Sequence, residues 1–200
     1  MKLLLENWRQ YLNEEQTYQI YCDMDGVLVD FIEGVINYIT NMLQSDQAEE
    51  LKAEIGRDYI TREDIDGPNH SKPVKKYMRK ELANHADFWE NLPWMSDGKE
   101  LWNYIVPYDP YILTTPMGYG SEIGKQAWID KNLNPPPPEK IYMSQNKFEW
   151  ATRGGKPNIL IDDFTKNTIP WEEAGGIAIL HINTSKTIYE LEELLNETPT

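Results

Sequence analysis

The sequence predicts an α/β fold: a parallel β-sheet between two layers of helices, with a helical segment inserted after the first strand. Three observations predict it. Short apolar, β-prone runs alternate with helical patterns over residues 111–196, and strands joined by crossover helices pair in parallel. One isolated strand signal, YQIYCDMDG at 18–26, stands far ahead of the next, with only helical patterning between them. The first four predicted strands also end in polar residues, as expected where a sheet presents its carboxyl ends to a ligand.

Leu4, Leu5, Trp8, Tyr11 and Leu12 recur at helical spacing and predict an amphipathic helix within residues 1–17. The first strand follows. From Phe31 to Pro107 the runs FIEGVINYITNML, AEELKAEIG, PVKKYMRKELAN and DGKELWNYIV read as helices, and this span (31–107) is expected to form a helical cap. Beyond it, YILTT is a buried strand and SEIGKQAWIDKNL a helix. Pro135–Pro138 form a stiff extended connector. IYMS is a short strand, NKFEWA the start of a helix, and NILIDD an apolar strand running into two aspartates. GGIAILHI is a further strand, and SKTIYELEELLN closes the pattern as an amphipathic helix. Residues 18–30 with 108–200 are thus expected to form one Rossmann-like three-layer α/β/α core, interrupted by the cap.

Composition limits the function. With 19 Lys and Arg against 33 Asp and Glu the net charge is −14, which argues against a protein whose main surface grips nucleic-acid backbone or anionic lipid. Hydrophobic residues make up 40%, and seven Trp, twelve Tyr and four Phe supply bulky core material. The single cysteine, Cys22, permits no intramolecular disulfide, and no signal-like or membrane-spanning run is visible. A cytoplasmic location is the expectation.

The strand ends carry the chemistry. They are Asp23-Met24-Asp25-Gly26, Thr114-Thr115, Ser144 with Lys147 beyond it, and Asp162-Asp163. Acidic pairs, hydroxyls and a lysine converging on one volume are the parts for a divalent cation and a phosphate: hard oxygen ligands suit magnesium, while hydroxyls and an ammonium neutralise phosphate oxygens. Lys156, in GGKP, competes with Lys147. Lys147 is favoured because it opens a helix after a strand, whereas Gly154 and Gly155 read as a loose surface turn.

DMDGVLVDF resembles the first motif of the haloacid dehalogenase-like superfamily, YILTT the second, Lys147 the third and ILIDD the fourth, in the same order. The long helical stretch matches the position of that superfamily's inserted cap. The resemblance implies covalent phosphoryl transfer, with Asp23 as nucleophile and Asp25 as general acid and base. It implies Mg²⁺ held by the Asp23 carboxylate, the Asp25 backbone carbonyl and one carboxylate of Asp162 and Asp163. Asp163 is favoured as direct ligand with Asp162 behind it. Thr114, Thr115 and Lys147 would contact the phosphate. An aspartate at the position of Asp25 separates the superfamily's phosphatases from its dehalogenases and transport ATPases.

DMDGVLVDF, FWENLPW, ILTTP, GKQAWIDKNL and LIDD together look like the 5'(3')-deoxyribonucleotidase branch. That likeness implies a mononucleotide substrate, a base pocket of Phe31, Phe88 and Trp89, and a phosphate-side role for Lys125. The same aromatic residues are equally at home in a cap core. Two features depart from the branch: Phe164 stands where an arginine is common, and TRGGKPN lengthens the path from Lys147 to Asp162. A phosphatase of nucleic-acid ends is the alternative enzyme, and a non-catalytic nucleotide-binding scaffold the alternative of another class. His70, His85 and His181 have no metal-ligand spacing.

Overall fold

Five strands pair in parallel in the order β3-β2-β1-β6-β7: β1 (Ile20–Cys22), β2 (Tyr111–Thr114), β3 (Ile141–Met143), β6 (Ile159–Asp162) and β7 (Ile177–Leu180). They belong to a computed structural model that describes residues 18–45, 47–68, 70–134 and 138–196. The expected N-terminal helix and most of the tetraproline connector lie outside the described residues. β1 is the middle strand. Tyr21 pairs with Tyr111 on one side and with Leu160 on the other, so two strands remote in sequence flank the first motif.

The strands are apolar at consecutive positions because both faces of the sheet are covered. Ile20, Cys22, Ile112, Ile159 and Ile161 enter the main core, which extends into the insertion. The alternate residues Tyr21, Leu113 and Leu160 point to the other face and pack with Trp171. Trp171 comes from α8 (Thr165–Glu173), and its indole N–H donates to the Asn158 carbonyl at 3.1 Å.

Between β1 and β2 run α1 (Phe31–Gln44), α2 (Glu49–Ile55), α3 (Arg62–Asp66), α4 (Lys72–Lys80), α5 (Ala86–Glu90) and α6 (Gly98–Ile105). Three of the starts are capped by the side chain just before them. Asp30 caps α1 by accepting from the Glu33 N–H at 2.9 Å, Ser71 caps α4, and His85 caps α5 through Nδ1. α5 and the 3₁₀ turn Leu82–Asn84 lie against α7 (Tyr119–Asn132). Gly124 makes this approach possible, since a Cβ there would overlap the Ala86 carbonyl and the Trp89 side chain. α6 packs on the last helix, α9 (Thr184–Asn196), and Asp97 accepts from the Thr184 N–H at 2.9 Å.

The structure revises two local expectations. Lys147–Trp150 is a single 3₁₀ turn rather than the start of an α-helix. The Gly154-Gly155 turn is not loose: it joins two short antiparallel strands, β4 (Thr152–Arg153) and β5 (Lys156–Pro157). Both glycines have positive φ, 60° and 79°, which is what a two-residue hairpin turn needs and what glycine adopts at least cost. Two-residue strands are too short to show a period in sequence. No helix among the described residues is long and apolar enough to cross a membrane.

Candidate active site

At the carboxyl end of β1 the chain stays attached to the sheet for one more residue, the Asp23 N–H donating to the Ile161 carbonyl at 3.0 Å. It then folds into a tight loop. The N–H groups of Leu28 and Val29 donate to the Met24 carbonyl at 2.8 and 2.9 Å. Gly26 sits at φ 77°, and a Cβ on it would overlap the Asp163 carboxylate. The first motif therefore presses against the fourth, and only glycine satisfies both demands.

Asp23, Asp162 and Asp163 bring carboxylate oxygens within 4.8 Å of one another. Lys147 lies between them, 2% exposed, with Nζ 2.9 Å from Asp23 Oδ2 and 2.7 Å from Asp162 Oδ2. Burial works against that ammonium, but the Asp23 and Asp162 charges overcome it and raise its pKa. Lys156 is exposed on β5. Asp162 is fully buried and fully engaged, its carboxylate accepting from Lys147, the Phe164 N–H and the Asn167 amide. Asp163 is exposed. Burial, with Asp23 adding repulsion, pushes Asp162 up to about 6; partial burial and the charges of Asp23 and Asp162 push Asp163 up to about 7.

A second lysine organises the other side. Lys125, in α7, is wholly buried and points its ammonium at three acceptors: Asp25 Oδ2 at 2.7 Å, Thr114 Oγ1 at 2.7 Å and the Thr115 carbonyl at 2.9 Å. An ammonium has three protons, so all are engaged. Asp25 Oδ1 has no hydrogen-bond partner among the described residues. Burial raises the Asp25 pKa, opposed by Lys125 and reinforced by Asp23. Thr114 is buried beneath the cluster, and the Thr115 hydroxyl donates to the Ser144 carbonyl at 2.9 Å.

The aromatic candidates group together beside Lys125. Phe31 stacks on Trp89 with centroids 5.2 Å apart and ring planes 15° apart, and Phe88 meets both edge-on. Phe88 and Trp89 are buried, whereas Phe31 is half-buried. The Lys125 ammonium lies 5.2 Å from the Trp89 ring centre, so the indole ties the insertion to the polar site. Sequence reasoning missed Asn167 and the Phe164 N–H, the groups that hold Asp162. Their only signal is position, in the residues just after the acidic pair. Cys22 is a buried thiol raised well above its ordinary pKa by burial and by Asp23, which fits packing rather than reactivity.

No protein-family model matches the chain, and no curated protein does. Similar solved structures include a hydrolase of Streptococcus pneumoniae TIGR4, at 15% identity and a TM-score of 0.48 over 90% of this chain and 100% of that one. A HAD family hydrolase of Deinococcus radiodurans R1 with bound phosphate and sodium is 14% identical, with a TM-score of 0.49 over 90% and 95% of the two chains. YfnB of Bacillus subtilis, a HAD-hydrolase bound to magnesium, is 16% identical, with a TM-score of 0.48 over 90% and 98%. What this chain does rests on its own residues.

Proposed function

We propose that the chain is a magnesium-dependent phosphomonoesterase of the haloacid dehalogenase-like type, working through an aspartyl-phosphate and acting on small phosphate esters, with (deoxy)nucleoside monophosphates as the first candidates. One observation carries the reading. Asp23 is held 2.9 Å from a buried lysine, next to two further carboxylates, while Asp25, two residues on, keeps one oxygen without a partner.

In the first half-reaction an Asp23 carboxylate oxygen forms a bond to phosphorus as the ester P–O bond breaks. The departing oxygen takes a proton from Asp25. Asp25 Oδ1 is the atom for that proton, since Oδ2 is engaged by Lys125. Its raised pKa keeps the acid form populated nearer neutrality. In the second half-reaction Asp25 takes a proton from water, the water oxygen bonds to phosphorus, and the Asp23–phosphorus bond breaks to release inorganic phosphate. Lys147 holds Asp23 in place and offsets charge on the phosphoryl oxygens. Lys125 orients Asp25 and Thr114 from behind.

The donor set fits a divalent cation. It consists of hard oxygen ligands on Asp23 and Asp163 with the Asp25 backbone carbonyl, and Asp162 stands behind them. The upward pKa of Asp163 reflects burial first and then the negative charges of Asp23 and Asp162 crowded beside it, and a cation would relieve that crowding. Bound there, Mg²⁺ would supply charge neutralisation at the phosphate.

A phosphate-release screen over mononucleotides, sugar phosphates and phosphorylated oligonucleotides tests the reading. Release should require Mg²⁺, stop with chelator, favour mononucleotides and fall by about 10⁴-fold or more in Asp23→Asn. Turnover that survives Asp23→Asn would remove the nucleophile from the proposal.

A further inference from the structure

The most concentrated positive charge on this acidic chain lies in the insertion. The nine residues of α4 are KPVKKYMRK, with five cations and no acid. Lys72, Lys75, Lys76, Arg79 and Lys80 stand at i, i+3, i+4, i+7 and i+8, so the helix gathers them into one stripe. Lys75 is half-buried and the other four are exposed. Val74 and Met78 are buried, and Tyr77 is half-buried with its hydroxyl 3.0 Å from the Met42 sulfur.

A solvated helix face in a protein of net charge −14 would be expected to carry compensating acids. Here the Lys80–Glu81 contact at 3.3 Å is the only ion pair of the stripe among the described residues. Lys76 and Lys80 also border a groove shared with Glu49, Glu50 and Glu54. Lys72, Lys75 and Arg79 have no ion-pair partner among the described residues. They line, with His70, a separate concave face that contains no acid.

We infer that this stripe is a docking surface for the sugar-phosphate backbone of a nucleic-acid strand. The stripe spans eight helical steps, about 12 Å, which matches about three to four phosphates of one strand at B-form spacing. It offers repeated point charges on long side chains, suited to backbone phosphates and blind to base sequence. It has no exposed large apolar side chain to enter a bilayer and no exposed aromatic anchor of the kind that dominates protein interfaces. The bulk acidity opposes a large polyanion surface but leaves a short one, because charges more than about 10 Å away are largely screened at moderate salt. The inference stands apart from the proposed hydrolysis and does not depend on it.

Fluorescence anisotropy of a labelled 20-nucleotide single-stranded DNA, titrated with the full chain at 50 and 200 mM salt, tests it. The chain should bind, more weakly at high salt. Lys72→Gln/Lys75→Gln/Arg79→Gln should lower the log–log salt slope by about 2, so wild type loses about 20-fold more affinity than the variant over that salt range. A charge-matched control, Lys99→Gln/Lys131→Gln/Lys186→Gln, should keep the wild-type slope. Absence of binding at 50 mM salt, or equal losses in both triple variants, overturns the inference. Binding to phosphatidylserine vesicles but not to the oligonucleotide also overturns it and assigns the stripe to a membrane surface.

Discussion

Lys125 Nζ lies 2.7 Å from Asp25 Oδ2, joining a helix that follows the second strand to the loop that follows the first. The ammonium is wholly buried and the carboxylate side chain is 29% exposed, so the pair bridges the core and the site mouth. It leaves Lys125 without a spare proton and leaves Asp25 Oδ1, a buried atom, without a hydrogen-bond partner among the described residues.

Lys125→Met should therefore act on the fold and the chemistry together. Breaking a buried pair from one side costs about 3–5 kcal/mol, and the partial exposure of Asp25 reduces this to about 2–3 kcal/mol. Urea unfolding should show that loss. A variant as stable as wild type would mean that the pair contributes little net stability.

Asp25→Asn should reveal the general acid through the leaving group. Hydrolysis of an alkyl phosphate such as a nucleoside 5'-phosphate should fall by about 10²–10⁴-fold. Hydrolysis of 4-nitrophenyl phosphate, whose leaving group departs as a stable anion, should fall far less in a single-turnover measurement of the first step. Equal losses on both substrates would contradict proton donation by Asp25.

Metal and pH should be linked through the acidic pair. Without metal, Asp162 at about 6 and Asp163 at about 7 stand above the ordinary 3.8. The folded chain then holds protons that the unfolded chain releases. The stability they confer is complete below about pH 3.8 and is lost as pH rises through 6 to 7. A bound cation would replace those protons, so 5 mM MgCl₂, about 5 mM free ion, should raise Tm by more at pH 8 than at pH 5. Thermal melts at the two pH values decide it, and an equal shift at both would separate the metal from Asp162 and Asp163.

Gly26→Ala should cost activity more than stability. The left-handed backbone disfavours a side chain by about 1–2 kcal/mol, whereas the added methyl would displace the Asp163 carboxylate. Turnover at saturating Mg²⁺ should drop by at least about 10²-fold while Tm falls only by several degrees. Full activity in the variant would show that Asp163 need not sit where it does.

The sheet is legible in the sequence because strands covered on both faces read as unbroken apolar runs, and ILIDD and YILTT end in polar residues at the point of exit. The grouping of Asp23, Lys147, Asp162 and Asp163 follows once those ends are aligned. The β4–β5 hairpin is not legible, since strands of two residues show no period. Neither is the engagement of Lys125, whose acceptors are chosen by packing between remote segments. Phe88 and Trp89 show a third kind of limit: an aromatic run has the same composition whether it lines a pocket or fills a core, and burial alone distinguishes the two.

The placement of β1 has a consequence for the nascent chain. Asp23 leaves the ribosome well before the partners of its strand, which are Tyr111 and Ile112 on one side and Ile159 to Ile161 on the other. Ile20 to Cys22 can gain their full complement of neighbours only after Ile161 has been made. Such long-range closure makes folding slow, and it leaves an apolar segment needing protection during synthesis. Competence for chemistry would then arrive late and abruptly, when the sixth strand docks and carries Asp162 and Asp163 in with it.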